Sequence, residues 1–226
     1  MPSILGVIFD HDGTLVDSLP AVVAATNHAL RDAGLPEDDP ERIVSAMVLA
    51  TVPRMGFHAG VSDVGEQQRL AREFYRHFKV YGPGYSALYP GIADLLVQLA
   101  HRGAAMGVVS NNHGDLIRDI MSKLGIGSHF RCSVGEEDMP APKPDPRGLL
   151  RVISDLGLRP WQCVYVGDSR IDAQVARAAG VRAFGVTWGI SPRDEMEAYG
   201  FDLLLDHPRE ILGAVMALDE ETNLEG

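Results

Sequence analysis

The chain has 226 residues, with 31 Asp and Glu against 20 Lys and Arg, a formal charge of −11. That sign excludes nucleic-acid binding driven by release of phosphate counterions, and an anionic membrane face would repel it. No run of about 18 apolar residues exists to span a bilayer. The first ten residues lack a basic leader and reach Asp10 at once, so no signal peptide is expected. Cys132 and Cys163 are the only cysteines, which points to a reducing, cytoplasmic setting.

In chain order, the first apolar run is 4–9. It ends at Asp10-His11-Asp12-Gly13-Thr14 and predicts a parallel strand buried on both faces. From 18 to 86 the pattern turns helical. Ala21, Val22, Ala24, Ala25, Ala29 and Leu30 predict a helix stopped by Gly34 and Pro36. Segments 41–50 and 64–80 predict two more, with no strand among them. The stretch 80–86, rich in glycine and aromatic residues around Pro83, predicts a turn-forming connector.

After Pro90-Gly91, helix and strand alternate. Ile92, Leu95, Leu96 and Leu99 predict a helix ending at Gly103; 105–109 predicts a strand ending at Ser110-Asn111-Asn112. A helix at 115–124 and a strand at 130–134 follow. Leu149, Leu150, Ile153 and Leu156 mark a helix ended by Gly157. Segment 163–166 predicts a strand ending at Gly167-Asp168-Ser169, and 171–179 a helix stopped by Gly180. Strands at 181–186 and 202–205 and a helix at 208–218 complete the pattern, and the polar tail 219–226 is expected to fray. Strands separated by single helices imply right-handed crossovers. The predicted fold class is α/β: a Rossmann-like doubly wound parallel sheet core, 1–17 plus 87–226, with an inserted all-helical cap, 18–86.

Ligands of such sheets bind beyond the carboxyl ends of the strands. Polar groups collect there: Asp10 and Asp12, then Ser110 and Asn111, then Lys143, then Asp168 with Asp172. Carboxylates from two strand ends suit a hard cation such as Mg²⁺. A carboxylate can also attack phosphorus, a lysine can neutralise the transferred group, and a second carboxylate can serve as acid and base.

Taken together, Asp10-His-Asp12-Gly-Thr-Leu-Val-Asp-Ser, Val-Val-Ser110-Asn, Lys143-Pro and Val-Gly-Asp168-Ser-Arg-Ile-Asp172 resemble the haloacid dehalogenase superfamily. Its four motifs occur in order from Phe9 to Asp172. The chain is most similar to the phosphoglycolate-phosphatase-like branch, which it also resembles in Tyr89-Pro-Gly91 and Thr187-Trp-Gly189. The resemblance implies Mg²⁺-dependent hydrolysis of a small phosphate monoester through an aspartyl-phosphate, with 2-phosphoglycolate the first candidate. It implies that Asp10 is the nucleophile and a metal ligand. Asp12 is acid and base and gives its carbonyl to the metal. Ser110 and the Asn111 N–H hold phosphate, Lys143 bridges nucleophile and phosphoryl oxygens, and Asp168 completes the metal ligands. Asp172 and Thr14 support these groups from behind. The second aspartate, absent from dehalogenases, points to phosphoryl chemistry. The partner is then a small phosphorylated metabolite, and the chain a monomer or homodimer. The alternatives are a β-phosphoglucomutase-like mutase sharing the core chemistry and a non-catalytic interaction protein on the same scaffold.

Three stretches differ from the branch's usual pattern: His11 in an apolar position, 45–51 in place of a glycine-rich cap turn, and Asn112-His113 where lysine is frequent. His11 and His113 are each either packed or functional. Arg54, Phe57, His58, Tyr75, His77 and Lys79 include the candidate substrate contacts of the cap. Arg69, Arg72 and Arg76 are expected on a solvated face, both cysteines buried and inert, and 136–138 a merely solvated acidic loop. The cap segment holds eight acidic and seven basic residues, so nearly all the net charge lies in the core.

Overall fold

A computed structural model describes residues 4–224. The central strand is β1, Gly6–Phe9, buried along its whole length. A two-residue strand β2, Val16–Asp17, leads into α1, Leu19–Asp32, and α2, Pro40–Ser45. Helices α3, Thr51–Ala59, and α4, Val64–Tyr85, come next. Strand β3, Ala87–Leu88, then pairs antiparallel with β2, so a two-stranded ribbon closes the helical excursion.

The remainder alternates. Helix α5, Ile92–His101, precedes β4, Ala105–Val109; α6, Gly114–Lys123, precedes β5, Cys132–Val134. Helix α7, Arg147–Asp155, leads to β6, Cys163–Gly167, and α8, Arg170–Ala179, to β7, Arg182–Val186. A short α9, Arg193–Met196, β8, Leu203–Leu205, and α10, Pro208–Leu224, end the chain. The six long-sheet strands run in the order β5-β4-β1-β6-β7-β8, with every pair parallel.

Side chains of a strand alternate between faces, and the core follows that alternation. Val7 and Phe9 pack with Ile92, Leu95, Ile117, Ile211 and Val215, from α5, α6 and α10. Ile8 and Tyr165 pack on the opposite face with Leu149, Val152, Val175 and Ala176, from α7 and α8. Both faces are therefore covered, as a doubly wound sheet requires. The chain leaves β1 first toward β4 and later toward β6. That reversal opens a crevice at the carboxyl end of β1.

The structure departs from the expected elements in four places, two of them in the helical cap. The single helix expected over 41–50 stops at Ser45, passes through a 3₁₀ turn, Ala46–Val48, and becomes extended at Leu49 and Ala50. A continuous helix would place Pro53 in its interior, costing a hydrogen bond and a clash; a fresh start at Thr51 puts the ring in the first turn, where no N–H is needed. The connector expected at 80–86 is instead the end of α4, which continues through Pro83. That end sits on α6, with Phe78 and Ile120 in one core and Gly82 facing Ile120. Packing overrides the local turn signal. At the other end, the tail expected to fray from 219 is helical to Leu224, because Asp219 accepts from the Ile4 N–H and pairs with Arg102. The rest of that expectation, 225–226, lies outside the described residues. The strand expected over 130–134 is shortened to Cys132–Val134, after a 3₁₀ turn, Gly127–His129.

Candidate active site

The Asp10 N–H still donates to Val166 O at 2.8 Å, so Asp10 extends β1 by one rung before the chain turns. Leu15 and Val16 then donate to His11 O, closing a tight loop. Gly13 takes a positive φ of 79° there, and a Cβ on it would lie 2.2 Å from Asp168 Oδ2. Only glycine lets the loop lie against the carboxylate that ends β6.

Lys143 reaches the centre of the site from the loop before α7. Its Nζ lies 2.8 Å from Asp10 Oδ1, 2.8 Å from Asp172 Oδ1 and 3.0 Å from the Tyr165 hydroxyl. The loop is fixed by Asn111, whose side chain accepts from Lys143 N at 2.7 Å and donates to Lys143 O at 3.1 Å. Asp172 is fully committed. Besides Lys143, its Oδ1 accepts from Tyr165, and its Oδ2 accepts from the Ser169 N–H and hydroxyl. Asp168 accepts from Thr14 Oγ1 at 3.1 Å and from Ile190 N at 2.7 Å.

Asp12 is held by Ser18, by His11 Nδ1 at 3.1 Å and by Asn112 Nδ2 at 3.3 Å. Ser110 Oγ accepts from Asn112 N at 3.0 Å. Asp10, Asp12, Ser110, Asn111, Lys143 and Asp168 all line one cavity, joined from the cap by Met47, Leu49, Thr51 and Arg54. Thr14 and Asp172 stand behind it, as expected. The structure thus brings the expected core residues of the site to one place; of the six cap candidates only Arg54 lines the cavity, while His58 bonds Asp38 and His77 bonds Asp32 within the cap.

The charges are unbalanced: four buried or partly buried carboxylates face one ammonium. Burial, then Asp172, push Asp10 up to about 7, against the pull of Lys143. Burial, then Asp172 and Asp10, raise Asp168 well above the usual carboxylate range. Burial would lower Lys143, but Asp10 and Asp172 more than offset it and hold the ammonium charged. Burial likewise works to raise Asp12, yet His11, Ser18 and Asn112 bring it down to about 2.

Oxygens of Asp10, Asp168 and Asp172 lie within 4.8 Å of one another. With Asp172 saturated by neighbours, Asp10 and Asp168 are left as the carboxylates whose ionisation nothing nearby fully compensates. An all-oxygen donor set with excess negative charge fits a hard divalent cation.

A sequence model of haloacid dehalogenase-like hydrolases matches residues 7–186. The chain belongs to this family. It is similar to a phosphoglycolate phosphatase of Pseudomonas putida, 34% identical over 213 residues, covering 91% of this chain and 78% of that protein. It is also similar to an N-acetylmuramic acid 6-phosphate phosphatase of Pseudomonas aeruginosa, 33% identical, covering 91% and 92%. Among solved structures, a predicted phosphoglycolate phosphatase from Haemophilus somnus matches with a TM-score of 0.84 at 27% identity, covering 95% of this chain and 99% of that one.

Within this hydrolase fold, several contributors carry no sequence signal of their own. Tyr165 is one β-strand aromatic among apolar neighbours, yet its hydroxyl is a third partner of Lys143. Ser18 looks like a helix start, and its hydroxyl instead donates to Asp12. His11 is fully buried and packs as a partner of Asp12. The acidic run 136–138 is not merely solvated: Glu136 accepts from Tyr75, and Glu137 accepts from Gly114 N at the start of α6. Arg72 and Arg76 are exposed, as expected of a solvated face, but Arg69 is half-buried and pairs with Glu66, and Arg76 bonds both Glu73 on α4 and Asp32 on α1. Cys163 is buried as expected, whereas Cys132 is only half-buried; both are free, and burial raises their thiols to about 12 and about 11, leaving them protonated. Among the described residues, no helix is long and apolar enough to cross a membrane.

Proposed function

We propose that the chain hydrolyses small phosphate monoesters with a divalent cation, Mg²⁺ by its all-oxygen donor set. Asp10, Asp168 and the backbone carbonyl of Asp12 would hold that ion. When bound, it would offset negative charge on the site's carboxylates and on the phosphoryl oxygens.

The chain's own residues perform the chemistry as follows. An Asp10 oxygen attacks phosphorus; the bond to Asp10 forms as the ester P–O bond breaks, and Asp12 gives the leaving oxygen a proton. Asp12 then takes a proton from a water that attacks the aspartyl-phosphate, releasing inorganic phosphate and restoring Asp10. In the protein alone Asp12 is held ionised, which suits the second step. A phosphoryl dianion brought against Asp10 opposes that ionisation and favours the protonated acid needed for the first. Lys143, Ser110 and the Asn111 N–H bind the phosphoryl oxygens throughout.

The cap residues favour a substrate with a second anionic group. Arg54 is 6% exposed, lines the cavity, and its Nε has no hydrogen-bond partner among the described residues. A buried guanidinium donor without an acceptor is costly unless a ligand supplies one. Phosphoglycolate and N-acetylmuramic acid 6-phosphate, named for the two relatives, both carry a carboxylate besides the phosphate, and 2-phosphoglycolate is the first candidate.

The observation that carries this proposal is the triple contact of Lys143 with Asp10, Asp172 and Tyr165 beside Asp12 in one cavity. A phosphate-release screen over small phosphorylated metabolites, with Mg²⁺ at neutral pH, tests it. Steady release that disappears in Asp10→Asn is expected. Turnover of the Asp10→Asn protein at the wild-type rate would end the proposal, and isomerisation dependent on a bisphosphate primer would favour the mutase.

A further inference from the structure

Helix α4 of the cap touches the core in two different ways. At its end, Phe78, Gly82 and Pro83 face Leu116 and Ile120 of α6, a mainly apolar contact flanked by Lys79 and Asp119. Near its middle, the Tyr75 hydroxyl donates to Glu136 Oε2 at 2.6 Å, across a sequence separation of 61 residues. The Tyr75 ring stands edge-on to His113, centroids 5.2 Å apart at 67°.

Glu136 sits on a stiff base. A Cβ on Gly135 would lie 2.2 Å from Gly114 N and 2.9 Å from Asn112 O, so the loop after β5 is pressed directly on the start of α6 and the turn before it. Glu136 N donates to Asn112 O at 2.9 Å, and Asn112 Nδ2 donates to Asp12 Oδ2 at 3.3 Å. On the cap side, the Arg54 guanidinium lies over the ring of Phe74, the residue before Tyr75 on α4, 4.8 Å from its centroid.

We propose that Tyr75 and Glu136 are positioning residues: they form a clasp that sets the register of the closed cap, placing Arg54 over the cavity and tying cap position to Asn112 and Asp12. Apolar packing on α6 supplies adhesion, while the short, charge-assisted hydrogen bond supplies direction. Breaking it lets α4 slide on α6 and uncovers Arg54. The kinetic consequence rests on the proposed phosphatase activity; the clasp itself does not.

The test is modification of Arg54 by phenylglyoxal in Mg²⁺ buffer, followed site by site by peptide mass mapping. Arg54 in the wild type is expected to react slowly, being nine-tenths buried. Tyr75→Phe and Glu136→Ala should each speed its modification by roughly tenfold, from loss of one hydrogen bond to a charged group. Glu136→Gln keeps an acceptor but loses its charge, and should fall between the wild type and the two clasp-breaking variants. The double variant Tyr75→Phe/Glu136→Ala should react no faster than either single one, because both remove the same bond. With 2-phosphoglycolate as probe, the two clasp-breaking variants should raise KM several-fold while kcat changes little. Unchanged Arg54 reactivity in a Tyr75→Phe protein with the wild-type melting temperature would overturn the clasp, as would multiplicative effects in the double variant. If the wild type released no phosphate from any probe, the phosphatase proposal would fall, and the labelling would still decide the clasp.

Discussion

Replacing Asp10 by Asn is expected to abolish turnover and yet stabilise the metal-free protein. Asp10 is raised to about 7, first by burial and then by Asp172, against about 3.9 in an unfolded chain. A gap of roughly 3 units corresponds to about 4 kcal/mol of destabilisation once the carboxylate is ionised in both states. The sign follows from proton counting. Between about pH 4 and pH 7 the folded protein holds a proton that the unfolded chain has released, so this group's contribution worsens as pH rises. Below about pH 4 both states are protonated and the cost vanishes. An Asn side chain never ionises, and its amide oxygen can still accept from Lys143. The variant should therefore melt higher than the wild type in excess EDTA at pH 7.5, by a gain on the order of 2–4 kcal/mol, or several degrees for a chain of this size. The gain should shrink steadily toward pH 4. Adding Mg²⁺ should raise the melting temperature of the wild type and barely move the variant. Differential scanning calorimetry across pH, with and without metal, makes the measurement. A variant that melts lower than the wild type in EDTA at pH 7.5 would refute the view that this carboxylate is held at an electrostatic cost.

Other perturbations have equally definite outcomes. Lys143→Met removes the one ammonium from a buried carboxylate cluster and should lose turnover along with about 3–5 kcal/mol of stability, read by urea denaturation. Gly13→Ala forces a side chain into a φ of 79° and into Asp168 Oδ2; isothermal titration should show Mg²⁺ affinity falling at least tenfold. Arg54→Ala should raise KM for 2-phosphoglycolate by tenfold or more but leave KM for a phosphate monoester without a second anion nearly unchanged. Equal changes for both substrates would remove Arg54 from recognition.

The place of the candidate site was legible in the sequence because its residues sit where strands end. Each buried strand is a short apolar run, and each run is followed at once by its polar residues, as in Phe9-Asp10 and Gly167-Asp168. A local pattern therefore located Asp10, Asp12, Ser110 and Asp168, and the order of motifs supplied Lys143. The cap was legible only as helical. Its pocket-lining stretch, Met47 to Arg54, was expected partly as helix, because its composition reports apolar spacing and not the bend that Pro53 imposes on the chain before it.

The sequence by itself determined the α/β alternation, the place of the helical excursion and the acid-rich identity of the site, since these rest on spacing along one chain. Only the tertiary structure decided which groups share a proton or a charge. Tyr165 meets Lys143, Ser18 meets Asp12 and Tyr75 meets Glu136. The first and last of these pairs join residues far apart in sequence. The second depends on how a single loop folds back. Hydrogen bonds form by proximity and angle in space, and no periodicity along the backbone encodes them.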